Sequence, residues 1–156
     1  IEGMVNVLDT EIGARLKRTK LLFDSVVWFD SVDGNVRRMI LQWIQNDQLR
    51  KQGIDEDGDV IGWYSQLTEI LSGGRKKFMS HYTLEDTGEF FRAMFVIVLN
   101  DSLVIDSDGA DKSNGDNLFT KYGDGITGLT DENMEKLVAV LKVKYILNTR
   151  KVLGLN

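Results

Sequence analysis

Residues 83 to 88 read Thr-Leu-Glu-Asp-Thr-Gly, and the order of the segments downstream of them leaves few folds open. An apolar run, Phe90 to Leu99, comes next, then a second short one, Leu103 to Ile105. Tyr122-Gly123 and Gly128-Leu129-Thr130-Asp131-Glu132-Asn133 then open a long helical pattern. This order predicts a capped turn, a hairpin, a glycine-rich joint and a helix. Thr83 is placed to cap a short helix starting at Leu84, with Glu85 and Asp86 in a first turn where the helix dipole favours negative charge. Phe90, Phe91 and Phe95 supply buried bulk. From about Arg92 the pattern becomes that of a strand, Met94 to Leu99, and Asn100-Asp101 turns it into a second, Ser102 to Ile105. The polar, glycine-rich run Asp106 to Asn117 is either a long hairpin tip or a disordered loop. Thr130 caps the last helix, with Asp131 and Glu132 in its first turn. Met134, Leu137, Val138, Leu141, Val143, Tyr145 and Ile146 are its apolar positions. Lys142, Lys144, Arg150 and Lys151 suit its C-terminal half, and Gly154 its end.

Upstream, Leu8, Ile12, Leu16, Phe23 and Val26 or Val27 recur at helical spacing, and the other face carries Arg15, Lys17, Arg18 and Lys20. Ser31 to Asn35 is a break. Val36, Met39, Ile40, Trp43 and Ile44 then predict a helix from about Asn35 to Lys51, with Gly53 just past its end. Residues 54 to 82 are the least regular part. Gly62-Trp63-Tyr64-Ser65 sets two large aromatics beside a glycine, for core packing or a subunit contact. Ser72-Gly73-Gly74-Arg75-Lys76-Lys77 lacks the Gly-Lys-Ser/Thr ending of a phosphate-binding loop. Its three cations suit a solvated loop, or contact with a nucleic-acid backbone or an acidic neighbour. The expected class is therefore α+β, with N-terminal helices, a small antiparallel sheet with a hairpin, and a long C-terminal helix.

Composition narrows function. With 156 residues, 42% of them hydrophobic, the chain can bury one core, and residues 1–156 are read as a single domain. Ile1-Glu2-Gly3, ahead of Met4, read as a cloning remnant and carry no weight. A net charge of -5 argues against a protein that coats nucleic acid over its whole surface. Having no Cys excludes disulfides and thiolate metal sites, and the single His81 excludes a site built on two imidazoles of one chain. There is no Pro, so turns fall to the 15 glycines and to Asn and Asp. With no apolar run near the ~18 residues a spanning helix needs, and no secretory signal pattern, the expectation is a soluble intracellular product. Asp55, Asp57 and Asp59 alternate as calcium ligands do, but a loop starting there has Val60 at its sixth position and Gln66 at its twelfth, where Gly and Glu belong. Asp106, Asp108 and Asp111 fail the same test. No cofactor or metal is implied.

Leu84-x-Asp86-Thr87-Gly88-x-Phe90 resembles the L-x-D-T-G-x-L core of tailed-phage virion morphogenesis and tail-completion proteins. In that family two strands come after the motif, then a Tyr/Phe-x-Gly segment and a Leu-Gly-Leu-Ser-type turn into the final helix; Tyr122-Gly123 and Thr127-Gly128-Leu129-Thr130 stand at those places. Gln48 to Asp55 and Gly62-x-Tyr64-Ser65-x-x-Thr68 are similar to small uncharacterised proteins of phages and prophages of gut Bacteroidetes. The resemblance runs from about residue 48 to the C-terminus. It implies a non-enzymatic subunit of the head–tail connector, or neck, or of tail completion. Such proteins form rings around the DNA channel and bind portal, adaptor or tail-tube proteins. They would reside in the virion, and in the host cytoplasm during assembly.

Read with the residues, this makes Leu84, Asp86, Thr87, Gly88 and Phe90 a structural motif. Arg75, Lys76, Lys77, Trp63 and Tyr64 become candidates to face a partner protein or phage DNA. No catalytic residue is expected, because nothing assembles a nucleophile, a base and an oxyanion hole. The alternative is a regulatory nucleic-acid- or protein-binding module using a basic helical face of Arg15, Lys17, Arg18, Lys20, Arg37 and Arg38. A third reading, a magnesium hydrolase built on either aspartate cluster with Lys76 or Lys77, suffers from poor preorganisation on glycine-rich loops.

Overall fold

The computed structural model describes residues 26–99, 102–112 and 114–155. The predicted helix over Leu8 to Val26, with its basic face, and the Asn100-Asp101 turn lie outside the described residues, apart from Val26. A short helix α1 (Val27–Ser31) opens the described fold. Asp33 then starts α2 (Gly34–Gln42), its carboxylate accepting from the N–H groups of Asn35 and Val36 at 3.0 Å each. The second oxygen of Asp33 pairs with the Lys144 ammonium on the last helix. Lys144 beside it holds the Asp33 carboxyl below the usual aspartate range, and the N–H of Val36 adds to the effect.

Val36 and Ile40 point inward from α2. At Trp43 the winding widens, and Trp43–Gln52 continues as a π segment that buries Ile44, Gln48 and Leu49. Gly53 ends it at φ +64°, and a Cβ there would stand 2.4 Å from the His81 ring. The backbone conformation and the close approach both require glycine. The helix thus covers the predicted span to within a residue at each end, but its second half is wound differently.

Residues 54 to 82 hold no strand, only the bridges Ile54↔Val60 and Trp63↔His81. Inside the second bridge lies α3 (Gln66–Leu71), capped by the Ser65 hydroxyl, which accepts from Thr68 N–H at 3.2 Å. The short helix α4 spans Glu89–Arg92. This corrects the expectation that Thr83 caps a helix starting at Leu84: Leu84 sits at φ +55°, outside helical space, and Gly88 at φ +75° is the residue before the first turn. The left-handed pair breaks what Glu85 and Asp86 would otherwise continue.

Strands β1 (Met94–Val98) and β2 (Leu103–Ser107) pair antiparallel, Met94 opposite Ser107 and Val98 opposite Leu103. The run after them is tied rather than loose, with Asp111↔Asn117 bridged and Leu118 N–H donating to Ala110 O at 2.9 Å. A helix α5 (Leu118–Tyr122), capped by Asn117, and a 3-10 turn (Asp124–Thr127) lead to α6 (Asp131–Leu153). Thr130 caps α6 and Gly154 closes it at φ +68°, as the sequence predicts. The described chain is α+β, with a two-stranded antiparallel sheet and a long C-terminal helix.

A two-stranded sheet is marginal alone. Here Met94 and Val96 join α2, the π segment, Phe90, Leu118, Ile126, Leu129 and Leu137 in one core. Gln48, buried among them, donates from Nε2 to Gly128 O at 2.9 Å. Its Oε1 accepts from Thr130 N–H at 3.1 Å and from Asn133 Nδ2 at 2.8 Å. Gln48→Leu strands the buried Asn133 amide and the part-buried Gly128 O and Thr130 N–H, and a buried polar group left unpaired costs about 1–3 kcal/mol. Chemical denaturation is expected to show a loss of about 2–4 kcal/mol, and a loss under about 0.5 kcal/mol would show that the amide is not what seats α6.

Candidate interaction surface

The motif residues act together as a joint. Leu84 is buried, and its left-handed backbone turns the chain so that Glu85 and Asp86 face two different cations. Glu85 takes a bidentate pair from Arg50, Nε at 2.8 Å and Nη2 at 2.7 Å, with the guanidinium 4.8 Å from the centre of the Phe91 ring. This pair holds the Glu85 carboxyl below the usual range and raises Arg50 further. Asp86 accepts from Lys76 Nζ at 3.0 Å. That hydrogen bond, then the charges of Lys76, Lys112 and Arg75, hold the Asp86 carboxyl below its ordinary value against a small opposing effect of burial. Thr87 Oγ1 accepts from Glu89 N–H at 3.3 Å, and Thr87 O accepts from Arg92 Nη1 at 3.0 Å. Phe90 goes into the core, and its carbonyl accepts from Ser107 Oγ at 2.6 Å. Gly109 closes this corner: a Cβ there would lie 2.6 Å from Glu89 O and 2.9 Å from Phe90 N, both backbone.

Beside the joint is a hollow of about 470 Å³ whose walls include Tyr64, Tyr82, Tyr122, Lys76, Asp86 and Lys112. Tyr64 and Tyr82 meet edge to face at 4.8 Å, and Tyr82 and Tyr122 at 5.8 Å. The Tyr64 hydroxyl accepts from Thr83 N–H at 3.3 Å, and Lys76 Nζ lies 5.6 Å from the Tyr64 ring centre. Of the five residues predicted to face a partner, Tyr64 and Lys76 thus turn inward and hold the motif. Trp63, Arg75 and Lys77 face solvent.

Three of the six aspartates in the two acidic clusters are occupied in local turns. Asp55 Oδ1 accepts from the N–H groups of Asp57 and Asp59, Asp106 Oδ1 from Ser107 N–H, and Asp111 Oδ1 from Asn117 Nδ2. Among the described residues, no group of three or more His, Asp or Glu is placed to hold a metal ion.

Two apolar surfaces stand out, and sequence reasoning missed the first. The excursion from Trp63 to Met79 exposes Leu67, Ile70, Leu71, Phe78 and Met79 as well as Trp63, with Ile70 69% and Leu71 78% accessible, and α3 buries none of its residues. Its signal was present in Leu67, Ile70 and Leu71, an i, i+3, i+4 stripe on a helix too short to form without packing. The second is an open groove of about 1220 Å³ between β2 and α6, walled by Leu103, Ile105, Leu129, Met134, Val138 and Leu141, with Trp28 at its edge. One side of this groove belongs to α6. Of its apolar positions Leu137 is fully buried, while Met134, Val138, Val143 and Ile146 remain exposed.

Comparison of the chain with protein-family models, curated proteins and solved structures returns no match. Among the described residues no helix is long and apolar enough to cross a membrane.

Two outcomes test the joint. Because folding lowers the Asp86 pKa, its contribution is present above the unfolded value of about 3.9 and lost as pH falls through the folded one. Asp86→Asn is therefore expected to be less stable than the parent at pH 7, by less than about 1 kcal/mol for so exposed a pair. The gap between the two denaturation curves should narrow as pH falls below the ordinary aspartate range, and a gap that does not narrow would assign the effect to something other than charge. Gly109→Ala forces backbone apart at the corner and should cost about 1–3 kcal/mol by the same assay; a neutral result would show that the loop yields freely.

Proposed function

We propose that this chain is a non-enzymatic structural subunit of a tailed-phage virion, working in an oligomeric ring at the head–tail connector or in tail completion. The observation that carries this reading is the apolar excursion from Trp63 to Met79, held on a joint whose polar groups are spent on one another. Contiguous exposed apolar surface of this kind marks interaction sites. The resemblance of Leu84 to Phe90 to the phage motif supplies the biological setting. Its neighbours would be further copies of itself and portal, adaptor or tail-tube proteins, with non-specific contact to phage DNA.

The reading as a regulatory nucleic-acid-binding module has less support. Of its basic residues that are described, Arg37 Nε donates to Val32 O at 3.1 Å and Arg38 Nη2 donates to Asn35 Oδ1. Arg37 thus ties its helix to the end of α1, and Arg38 holds a residue of its own helix.

Light scattering after size exclusion, over a concentration series with and without short DNA, tests the reading, together with mass spectrometry of purified phage particles. The expected result is a mass that rises with concentration and is indifferent to DNA, and a chain present in particles at several copies. A monomer that shifts with DNA alone, loses the shift at moderate salt and is missing from particles would replace this reading with the regulatory one.

A further inference from the structure

We propose that the apolar excursion of one copy docks in the α6–β2 groove of the next copy, forming a head-to-tail contact. The inference rests on the assembly reading for its choice of occupant; the geometry of the pairing comes from the two surfaces themselves.

The two surfaces differ in shape. The excursion is a projection, with Leu67, Ile70 and Leu71 on one short helix and Phe78 and Met79 on the returning strand of chain. Met79 stands at φ +61°, a conformation unusual for a side-chain-bearing residue, held by its N–H to Tyr64 O at 3.1 Å. The groove is concave and apolar. At about 1220 Å³ it exceeds the roughly 300–1,000 Å³ of small-molecule pockets, and it is open along its length. A single turn or two of helix, about 10–12 Å across with its side chains, is an occupant of suitable size. None of residues 63 to 79 lines the groove.

Charge agrees with the pairing. Glu56 and Asp124 stand on the groove wall and are exposed, while Arg75 and Lys77 are exposed on the excursion. Lys142 of α6 also lines the groove, and Glu69 on the excursion has the opposite sign. Such complementarity lets a chain of net charge -5 approach its own copy in one orientation. Symmetry supplies the last argument. A two-fold dimer made groove to groove leaves the excursion in water, and one made excursion to excursion leaves the groove open. Projection into groove covers both, and because the two patches differ, each added copy presents a new free end until a ring closes.

Ile70→Glu breaks the projection and Val138→Glu breaks the groove; both positions are exposed, at 69% and 57%, so folding is not at stake. Each variant alone should weaken self-association by about thirtyfold or more and run as a monomer where the parent assembles. Mixed in equal amounts, they retain one intact projection and one intact groove between them, and should form a dimer that grows no further. Circular dichroism unchanged from the parent confirms folding of each. A mixture that stays monomeric while the parent oligomerises overturns the pairing and leaves the assembly reading standing. Either variant alone assembling like the parent, or a parent monomeric throughout the concentration series, also overturns the pairing; the particle analysis then decides the assembly reading separately.

Discussion

One buried carboxamide holds the two halves of the fold in register. Gln48 lies between the π segment and the start of α6, satisfying Gly128 O, Thr130 N–H and Asn133 Nδ2 with a single side chain. Thr130 N–H belongs to the residue that caps α6, and the first turn of a helix always has donors in need of partners. A neighbouring helix therefore completes the cap. The widened winding from Trp43 to Gln52 accompanies this arrangement, since Ile44, Gln48 and Leu49 are buried together on one segment. Asp33 repeats the device at the other end of α2, capping that helix while pairing with Lys144 of α6. Two polar side chains, each doing a local and a distant task, so fix how α6 lies on the helical layer. Leu137 is the buried apolar contribution of α6, with Val140 and Leu141 partly buried against the same core.

What was legible in the sequence and what was not divides along the range of the interactions. Thr130, Gly53 and Gly154 announce helix ends through local chemistry, and the structure uses them so. The hairpin from Met94 to Ser107 comes from its two apolar runs. The stretch from Thr83 to Gly88 misled because helix-start chemistry and turn chemistry share the same residues. Thr and Asp serve both, and the choice was made by the left-handed Leu84 and by cations at Arg50 and Lys76, 35 and 10 residues away in sequence from Glu85 and Asp86. The same reasoning applies to Gln48, whose partners Gly128, Thr130 and Asn133 lie 80, 82 and 85 residues away in sequence.

The surface was less legible than the core, for a related reason. Periodicity reports that a residue is apolar, not that this chain supplies its neighbour. On α6 the apolar positions spread too far around the helix for one core face to absorb them, so Met134, Val138 and Ile146 line or flank an open groove. Of the candidate partner-facing set, Lys76 and Tyr64 have inward tasks that spacing alone could not reveal, and Arg75, Lys77 and Trp63 face solvent.

The joint and the excursion are physically one device. Tyr64 anchors the start of the excursion through Thr83 and through two backbone bonds, Tyr64 N–H to Ser80 O at 2.9 Å and Met79 N–H to Tyr64 O. Lys76, near its end, is held by Asp86 and lies over the Tyr64 ring. Thr83 and Asp86 therefore each hold one foot of a projection whose helix α3 buries none of its residues. An apolar tip on loose chain would lose much of its binding free energy to ordering on contact, whereas a tip already held in place loses little. Asp86, Thr87 and Gly88 form the turn that places Asp86 against Lys76, and the docking proposed above would draw on the order this gives the projection.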